Sequence, residues 1–113
     1  MPETHIIAIL SPAKGKSHRL KELLGKMCKD VHEKEDYTLR YIATEQIDGD
    51  NPDDADIVMI ETYKDKASAD KHTTEPHFKE IFATLDKEGI LGKAPWLAKT
   101  QSKHGFDLDH KLI

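Results

Sequence analysis

The segment Ile57-Val58-Met59-Ile60-Glu61-Thr62-Tyr63 is the starting point for predicting the fold. Its first four residues are apolar and mostly β-branched, which predicts a strand that is buried on both faces as far as Glu61. Residues 5–10 form a second run of the same kind and end before Ser11-Pro12. The chain is therefore predicted to contain two buried strands.

The first half of the chain also predicts a helix and an outer strand. Apolar residues at helical spacing predict a helix of about 15 residues with Ser17 as N-cap; they are Leu20, Leu23, Leu24, Met27 and Val31. Residues 37–44 alternate, with Tyr37, Leu39, Tyr41 and Ala43 on one side, and predict a half-buried strand. Turn formers and acids at residues 48–56 predict a solvated hairpin loop.

The second half predicts another helix and a final strand. Asp65 can cap a helix that begins at Lys66, and Pro76 is expected to divide this helix because proline is tolerated only in a first turn. Thr74 is then expected to cap the second segment near Glu75. That segment continues through Phe78, Ile81, Phe82 and Leu85 towards Gly89. A last strand is predicted from Trp96 to about Ser102.

The order of elements is βαββαβ, which is typical of an α+β, ferredoxin-like domain with a four-stranded antiparallel sheet. The first and third strands are central in that arrangement, and here they are the two whose apolar runs hold no charge, whereas the outer strands carry Arg40 and Lys99. Two helices cover only one face of such a sheet. The second apolar face predicts a face-to-face homodimer.

Length and patterning favour one domain over residues 1–105, followed by a tail at residues 106–113. The tail is unusually apolar, which makes it a candidate for contact with the dimer partner. Its apolar residues are Phe106, Leu108, Leu112 and Ile113.

Charge and composition exclude several classes of protein. Seventeen Lys+Arg against 21 Asp+Glu give a net charge of −4, and the basic residues are scattered, so a nucleic-acid partner is not expected. The apolar runs are too short to span a membrane, and residues 1–5 lack a basic leader, so a cytoplasmic location is expected. Cys28, the single cysteine, cannot form an intrachain disulfide and is expected to be a shielded, unreactive thiol.

Two patterns in the sequence resemble ligand-binding motifs but are incomplete. Gly15-Lys16-Ser17 resembles the end of a phosphate-binding loop, but Leu10 occupies the position where that motif needs a second glycine. The histidines lack the spacing of a zinc module, both at His72 and His77 and in the C-terminal group. That group consists of His104, Asp107, Asp109 and His110. No bound metal is predicted.

The segment from Glu61 to Phe78 carries a family pattern. Glu61-Thr62-Tyr63 ends a strand, a polar turn and an alanine-containing helix lead to His72, and Pro76-His77-Phe78 opens the next helix; Trp96 follows later. With the βαββαβ order, this resembles the antibiotic biosynthesis monooxygenase family over nearly the whole chain. The resemblance implies a dimeric α/β barrel. It also implies oxidation of phenols, anthrones or quinols with O2 and no cofactor.

Such chemistry needs a base, a hydrogen-bond donor for the developing oxygen charge, and a dry pocket. The resemblance points to His72 as the base or proton shuttle, with His77 second and Tyr63 as a donor. A small aromatic substrate would then be bound by Tyr41, Glu61, Phe78, Phe82 and Trp96.

Structural roles compete with these assignments. His72 could simply end a helix, where a cation is favourable, and Phe78 and Phe82 could be plain core residues. Tyr41 and Tyr63 could pack at the barrel interface, and Glu61 could pair with Arg40.

The pattern also departs from the family in two places. Haem-degrading relatives carry histidine four residues after the phenylalanine that corresponds to Phe78, and this chain has Phe82 there, so haem is disfavoured. Tyr63 replaces the tryptophan of many members.

Two other functions fit the same fold. One is a non-catalytic module that binds a small ligand or only dimerises, and the other is an isomerase or decarboxylase that works without oxygen. An oxygenase predicts that His72 faces a closed cavity near Tyr63 or Trp96, whereas the binding module allows it to face solvent.

Overall fold

The computed structural model describes residues 2–113, and the predicted ferredoxin-like α+β fold is confirmed. Its elements are β1 (Thr4–Leu10), α1 (Ser17–Lys34), β2 (Thr38–Glu45), β3 (Ile57–Tyr63), α2 (Lys66–His72), α3 (Pro76–Lys87) and β4 (Trp96–Thr100). All neighbouring strands are antiparallel in the order β2-β3-β1-β4, so β1 and β3 are central as predicted.

The helices pack on one face of this sheet and form the core with it. Alternate residues of β1 and β3 point to that face, and the α1 stripe that begins at Leu20 meets them as its spacing predicts. Complete burial of each large apolar side chain stabilises the fold by about 1.5–3 kcal/mol. The fully buried side chains include Leu20, Val31, Tyr63 and Ile90.

The helix starts correct two sequence predictions. Ser17 is not an N-cap, because Lys16 holds that position without a side-chain bond and the Asp54 carboxylate accepts from the backbone N–H of Ser17 at 3.4 Å. Thr74 does not cap α3 either. Glu75 precedes the helix, Pro76 begins it, and the Thr74 hydroxyl instead donates to a carbonyl of α2.

The division of the second helix at Pro76 is confirmed, and so is the cap at Asp65. The Asp65 carboxylate accepts from the backbone N–H of Ser68 at 2.8 Å, which fixes the start of α2. Because α2 is short, this cap also fixes where its last residue, His72, is placed.

The predicted alternation of β2 breaks at Leu39. The pairing of β2 with β3 shifts between Thr38 and Arg40, so one extra residue is accommodated as a bulge and Leu39 becomes exposed. Tyr41 nevertheless lies on the helix-covered face, opposite Glu61. The last strand ends at Thr100, two residues earlier than predicted.

The other face of the sheet carries apolar side chains, and no helix of residues 2–113 covers it. Register places on it Ile7, Ile9, Ile42, Val58, Ile60 and Trp96. Ile42 is 46% exposed and Trp96 is 56% exposed. We call these six residues the open face. None of the helices within residues 2–113 combines the length and the hydrophobicity that a membrane-spanning helix needs.

The C-terminal tail folds on itself as a small turn. Phe106 bridges Leu112, the backbone N–H of Ile113 donates to the carbonyl of Gly105 at 2.6 Å, and Asp107 meets Arg40 at 3.5 Å. The apolar side chains of residues 106–113 stay exposed.

Candidate functional site

A cavity of about 60 Å³ lies between the helix-covered face of the sheet and the helices. Its walls are mostly apolar, and the polar side chains that reach it are Tyr41, Glu61, His72 and Thr73. Phe78 and Phe82, with ring centroids 4.6 Å apart, form one wall. The volume is smaller than the ~150 Å³ cavity that accommodates benzene in another protein. An aromatic ligand therefore requires side chains of the wall to move outward.

His72 ends α2 and faces this cavity instead of solvent. It is only 2% exposed, and its ring lies among three aromatic rings. The centroid distances are 5.1 Å to Phe78, 5.3 Å to Tyr63 and 5.5 Å to Tyr41. A helix-terminal histidine with no further role would be expected in water, so this position favours a role inside the cavity.

Glu35 holds the ring of His72, and sequence reasoning missed this residue. It follows α1 directly, and its side chain is fully buried. Its carboxylate accepts from Nδ1 of His72 at 2.8 Å, from the Thr38 hydroxyl at 2.7 Å, and from Nε2 of His77. In the sequence, Glu35 belongs to a run of charged residues that is typical of solvent-exposed surface.

The environment of Glu35 keeps it ionised. Burial by itself raises the pKa of a carboxyl group, but the hydrogen bonds from His72, His77 and Thr38 outweigh that effect and hold the pKa of Glu35 below its usual range. A carboxylate that accepts from Nδ1 also selects the tautomer of His72. Nε2 then carries the lone pair, and within residues 2–113 it has no protein hydrogen-bond partner.

His77 lies behind Glu35, outside the cavity. It occupies the first turn of α3, is buried, and lines a separate surface groove beside Arg19 and Lys26. Glu35, Glu75 and His77 offer ligand atoms within 4.8 Å of one another, and among the described residues they are the group with metal-binding potential. Nε2 of His77 is already bonded to Glu35 there.

Glu61 is a second buried carboxyl group, and it lines the cavity itself. The Tyr63 hydroxyl donates to its Oε1 at 2.6 Å. The predicted pairing with Arg40 is wrong, because Arg40 points to the other side of the sheet and meets Asp107. Burial raises the pKa of Glu61. Burial and the nearby Glu61 also raise the pKa values of Tyr41 and Tyr63 well above their usual range.

The structure thus gathers most of the predicted site residues but not all. Tyr41, Glu61, His72, Phe78 and Phe82 line the cavity, and Tyr63 packs directly behind Glu61 and His72. His77 contacts the cluster only through Glu35. Trp96 lies on the open face, on the opposite side of the sheet.

Cys28 of α1 is half-buried and has no disulfide partner. Burial, followed by the nearby Glu61 charge, raises the pKa of its thiol, which agrees with the unreactive cysteine expected from the sequence.

Comparison with known proteins places the chain in a family. A sequence model described as antibiotic biosynthesis monooxygenase matches residues 4–84. No curated protein sequence matches the chain significantly.

Several solved structures share the fold at low identity. A conserved protein from Methanosarcina mazei Go1 is 24% identical, with a TM-score of 0.78 over 91% of this chain and 95% of that one. Rv0793 from Mycobacterium tuberculosis is 22% identical, with a TM-score of 0.74 over 87% and 92%. A Caulobacter crescentus protein, described as a candidate antibiotic biosynthesis monooxygenase, is 16% identical, with a TM-score of 0.80 over 90% and 91%.

Proposed function

The chain belongs to the antibiotic biosynthesis monooxygenase family, and we propose that it oxidises a small phenolic, anthrone or quinol-like metabolite with O2 and no cofactor. The main support for this proposal is the Glu35–His72 pair at the wall of a mostly apolar cavity. A histidine whose Nδ1 is bonded to a buried carboxylate presents Nε2 as a base that can accept a proton from the substrate.

The chemistry needs few groups because the substrate supplies the electrons. Nε2 of His72 removes a proton from a CH2 or OH group, and the electron-rich anion passes an electron to O2. For an anthrone, one CH2 group and one O2 become one C=O group and one water. The apolar walls exclude bulk water from the anion and strengthen every hydrogen bond in the site.

The other predicted residues take supporting roles in this proposal. Phe78 and Phe82 bind the aromatic ring after moving apart to enlarge the cavity, and Tyr41 offers a hydroxyl to substrate oxygen. Tyr63 acts through Glu61. His77 bonds to Glu35 from outside the cavity and helps to keep that carboxylate ionised and oriented. It is the second candidate for proton transfer.

The test is oxygen uptake by metal-stripped protein with a panel of anthrones and quinols. We expect uptake that survives chelation and falls by about 10²–10⁴-fold in His72→Ala, as for the loss of a general base. His32→Ala, an exposed histidine change on α1, is the matched control and should leave uptake unchanged. Equal uptake in both variants would contradict the proposal. Substrate conversion without O2 would favour the isomerase or decarboxylase, and binding without conversion the non-catalytic module.

We also propose that the functional unit is a homodimer joined through the open face. Support comes from the exposed apolar side chains there, which include Ile42 and Trp96. Trp96 is assigned to this interface because register separates it from the cavity. Light scattering at micromolar concentration should show a dimer in the wild type and a monomer in Trp96→Glu. A wild-type monomer would contradict this.

The tail at residues 106–113 is proposed to contact the partner, since its apolar side chains find no cover within its own chain. Truncation after Gly105 should then weaken the dimer. An unchanged dissociation constant would show that the tail does not contribute.

A further inference from the structure

We propose that Glu61 serves as a neutral carboxylic acid that donates a hydrogen bond to a carbonyl oxygen of the ligand, so that the cavity selects keto or quinone-type molecules. The inference rests on the proposed function, because it names the class of substrate that the same cavity would bind. Hydrocarbons of equal size, which have no oxygen acceptor, would bind more weakly.

Glu61 lies on a central strand of the sheet, and its side chain is buried. It lies on β3, opposite Ile6 of β1 and Tyr41 of β2, and is only 5% exposed. The remaining surface of its side chain belongs to the cavity wall. A polar group in this place either is satisfied by the protein or waits for a ligand.

The protein satisfies only half of this carboxyl group. Oε1 accepts from the Tyr63 hydroxyl at 2.6 Å, whereas Oε2 has no hydrogen-bond partner within residues 2–113. Oε2 is not completely enclosed by protein atoms, and the space that Glu61 lines is the cavity. One oxygen is anchored and the other is available to a bound molecule.

Glu61 has no salt-bridge partner within residues 2–113. Among the described residues, no lysine, arginine or histidine lies within 4.0 Å of its carboxyl oxygens. The titratable groups around it are Tyr41, Tyr63, Cys28, His72 and Glu35. Burial and the negative charge of Glu35 favour the protonated form, while the Tyr63 hydrogen bond and His72 oppose it; the balance raises the pKa.

A protonated carboxyl group carries an O–H donor, and its natural complement is a carbonyl oxygen. When Nε2 of His72 removes a proton conjugated with that carbonyl, negative charge moves onto the carbonyl oxygen. The hydrogen bond from Glu61 then becomes stronger, which stabilises the transition state more than the bound ground state. The substrate proton stays on His72, and Glu61 keeps its own proton throughout.

The experiment compares binding of 1-tetralone and tetralin, which share a ring system and differ by one carbonyl group. Neither needs to be turned over, and oxygen is excluded. We expect the wild type to bind 1-tetralone at least tenfold more tightly, measured by calorimetry. Glu61→Gln keeps an N–H donor and should preserve this preference, while Glu61→Leu keeps the volume and should abolish it. A preference that survives in Glu61→Leu would overturn the proposal.

Infrared spectroscopy of the unliganded protein tests protonation independently of any ligand. The carbonyl band of a protonated carboxylic acid should be present near neutral pH in the wild type and absent in Glu61→Gln. The exposed change Glu33→Gln serves as control and should leave the band in place. Absence of the band in the wild type would overturn the proposal, even if oxygen uptake were found. Presence of the band and the tetralone preference without oxygen uptake would refute only the oxygenase function.

Discussion

Glu35 and Glu61 are both buried carboxyl groups beside the same histidine, yet their surroundings shift their pKa values in opposite directions. Glu35 accepts hydrogen bonds from two histidines and a threonine, and Glu61 accepts one from a tyrosine. Burial alone therefore does not decide whether a carboxyl group is charged. The number and charge of the donors that reach it decide this.

The opposite pKa shifts also give the two carboxyl groups different roles in the site. An ionised Glu35 can hold an imidazole in one tautomer, and a neutral Glu61 can donate a hydrogen bond. If Glu35 were neutral, His72 would lose its anionic acceptor. If Glu61 were ionised, an uncompensated charge would lie in the cavity.

The largest effect is expected from Glu35→Ala. This change leaves buried donors of His72, His77 and Thr38 without their acceptor, and each buried donor that is left unpaired costs about 1–3 kcal/mol. Urea unfolding measures the loss. Glu33→Ala, on the exposed side of α1, should change stability by less than about 0.5 kcal/mol. Equal effects would show that Glu35 is not a structural anchor.

Acid should remove the contribution of Glu35. A carboxyl pKa that is lowered by folding gives stability that is complete above the ordinary value of 4.5 and is lost as pH falls through the lower folded-state pKa. The Tm of the wild type should therefore fall steeply below about pH 4.5. Glu35→Gln should show a shallower fall over the same range. Parallel curves would contradict the lowered pKa.

The contribution of Glu61 to stability should depend on pH in the opposite direction. A carboxyl pKa that is raised by folding gives stability that is complete below the ordinary value of 4.5 and is lost as pH rises through the higher folded-state pKa. Glu61→Gln cannot ionise, so its Tm relative to the wild type should rise between acidic and neutral pH. A difference that stays constant with pH would refute this assignment.

The smallest effect is expected from Tyr63→Phe. It removes the single donor to Glu61 and should cost about 0.5–1.5 kcal/mol, while raising the pKa of Glu61 further. The matched change Thr38→Val removes one of several donors to Glu35 and should leave that carboxyl group ionised. Infrared titration of both variants would measure the two responses. A lower pKa for Glu61 in Tyr63→Phe would contradict the assigned direction of this hydrogen bond.

Much of the architecture could be predicted because it depends on local patterns. The apolar runs of β1 and β3, the helical spacing from Leu20 to Val31 and the break at Pro76 all carried their information in neighbouring residues. The predictions for Ser17 and Thr74 failed because several residues near each helix start could act as cap. Arg40 was considered as a partner of Glu61 because of its opposite charge, but the register places it on the other side of the sheet.

Periodicity and element order in the sequence were enough to predict the fold. The resemblance to the family then pointed to five residues that line the cavity, namely Tyr41, Glu61, His72, Phe78 and Phe82. Glu35 could be found only from the three-dimensional contacts, because it is 37 positions from His72. The tertiary structure also decided which side of the sheet Trp96 occupies. The physical reason is that hydrogen bonds and burial between distant segments arise only when the chain closes on itself, and these contacts decide whether a buried carboxyl group is charged.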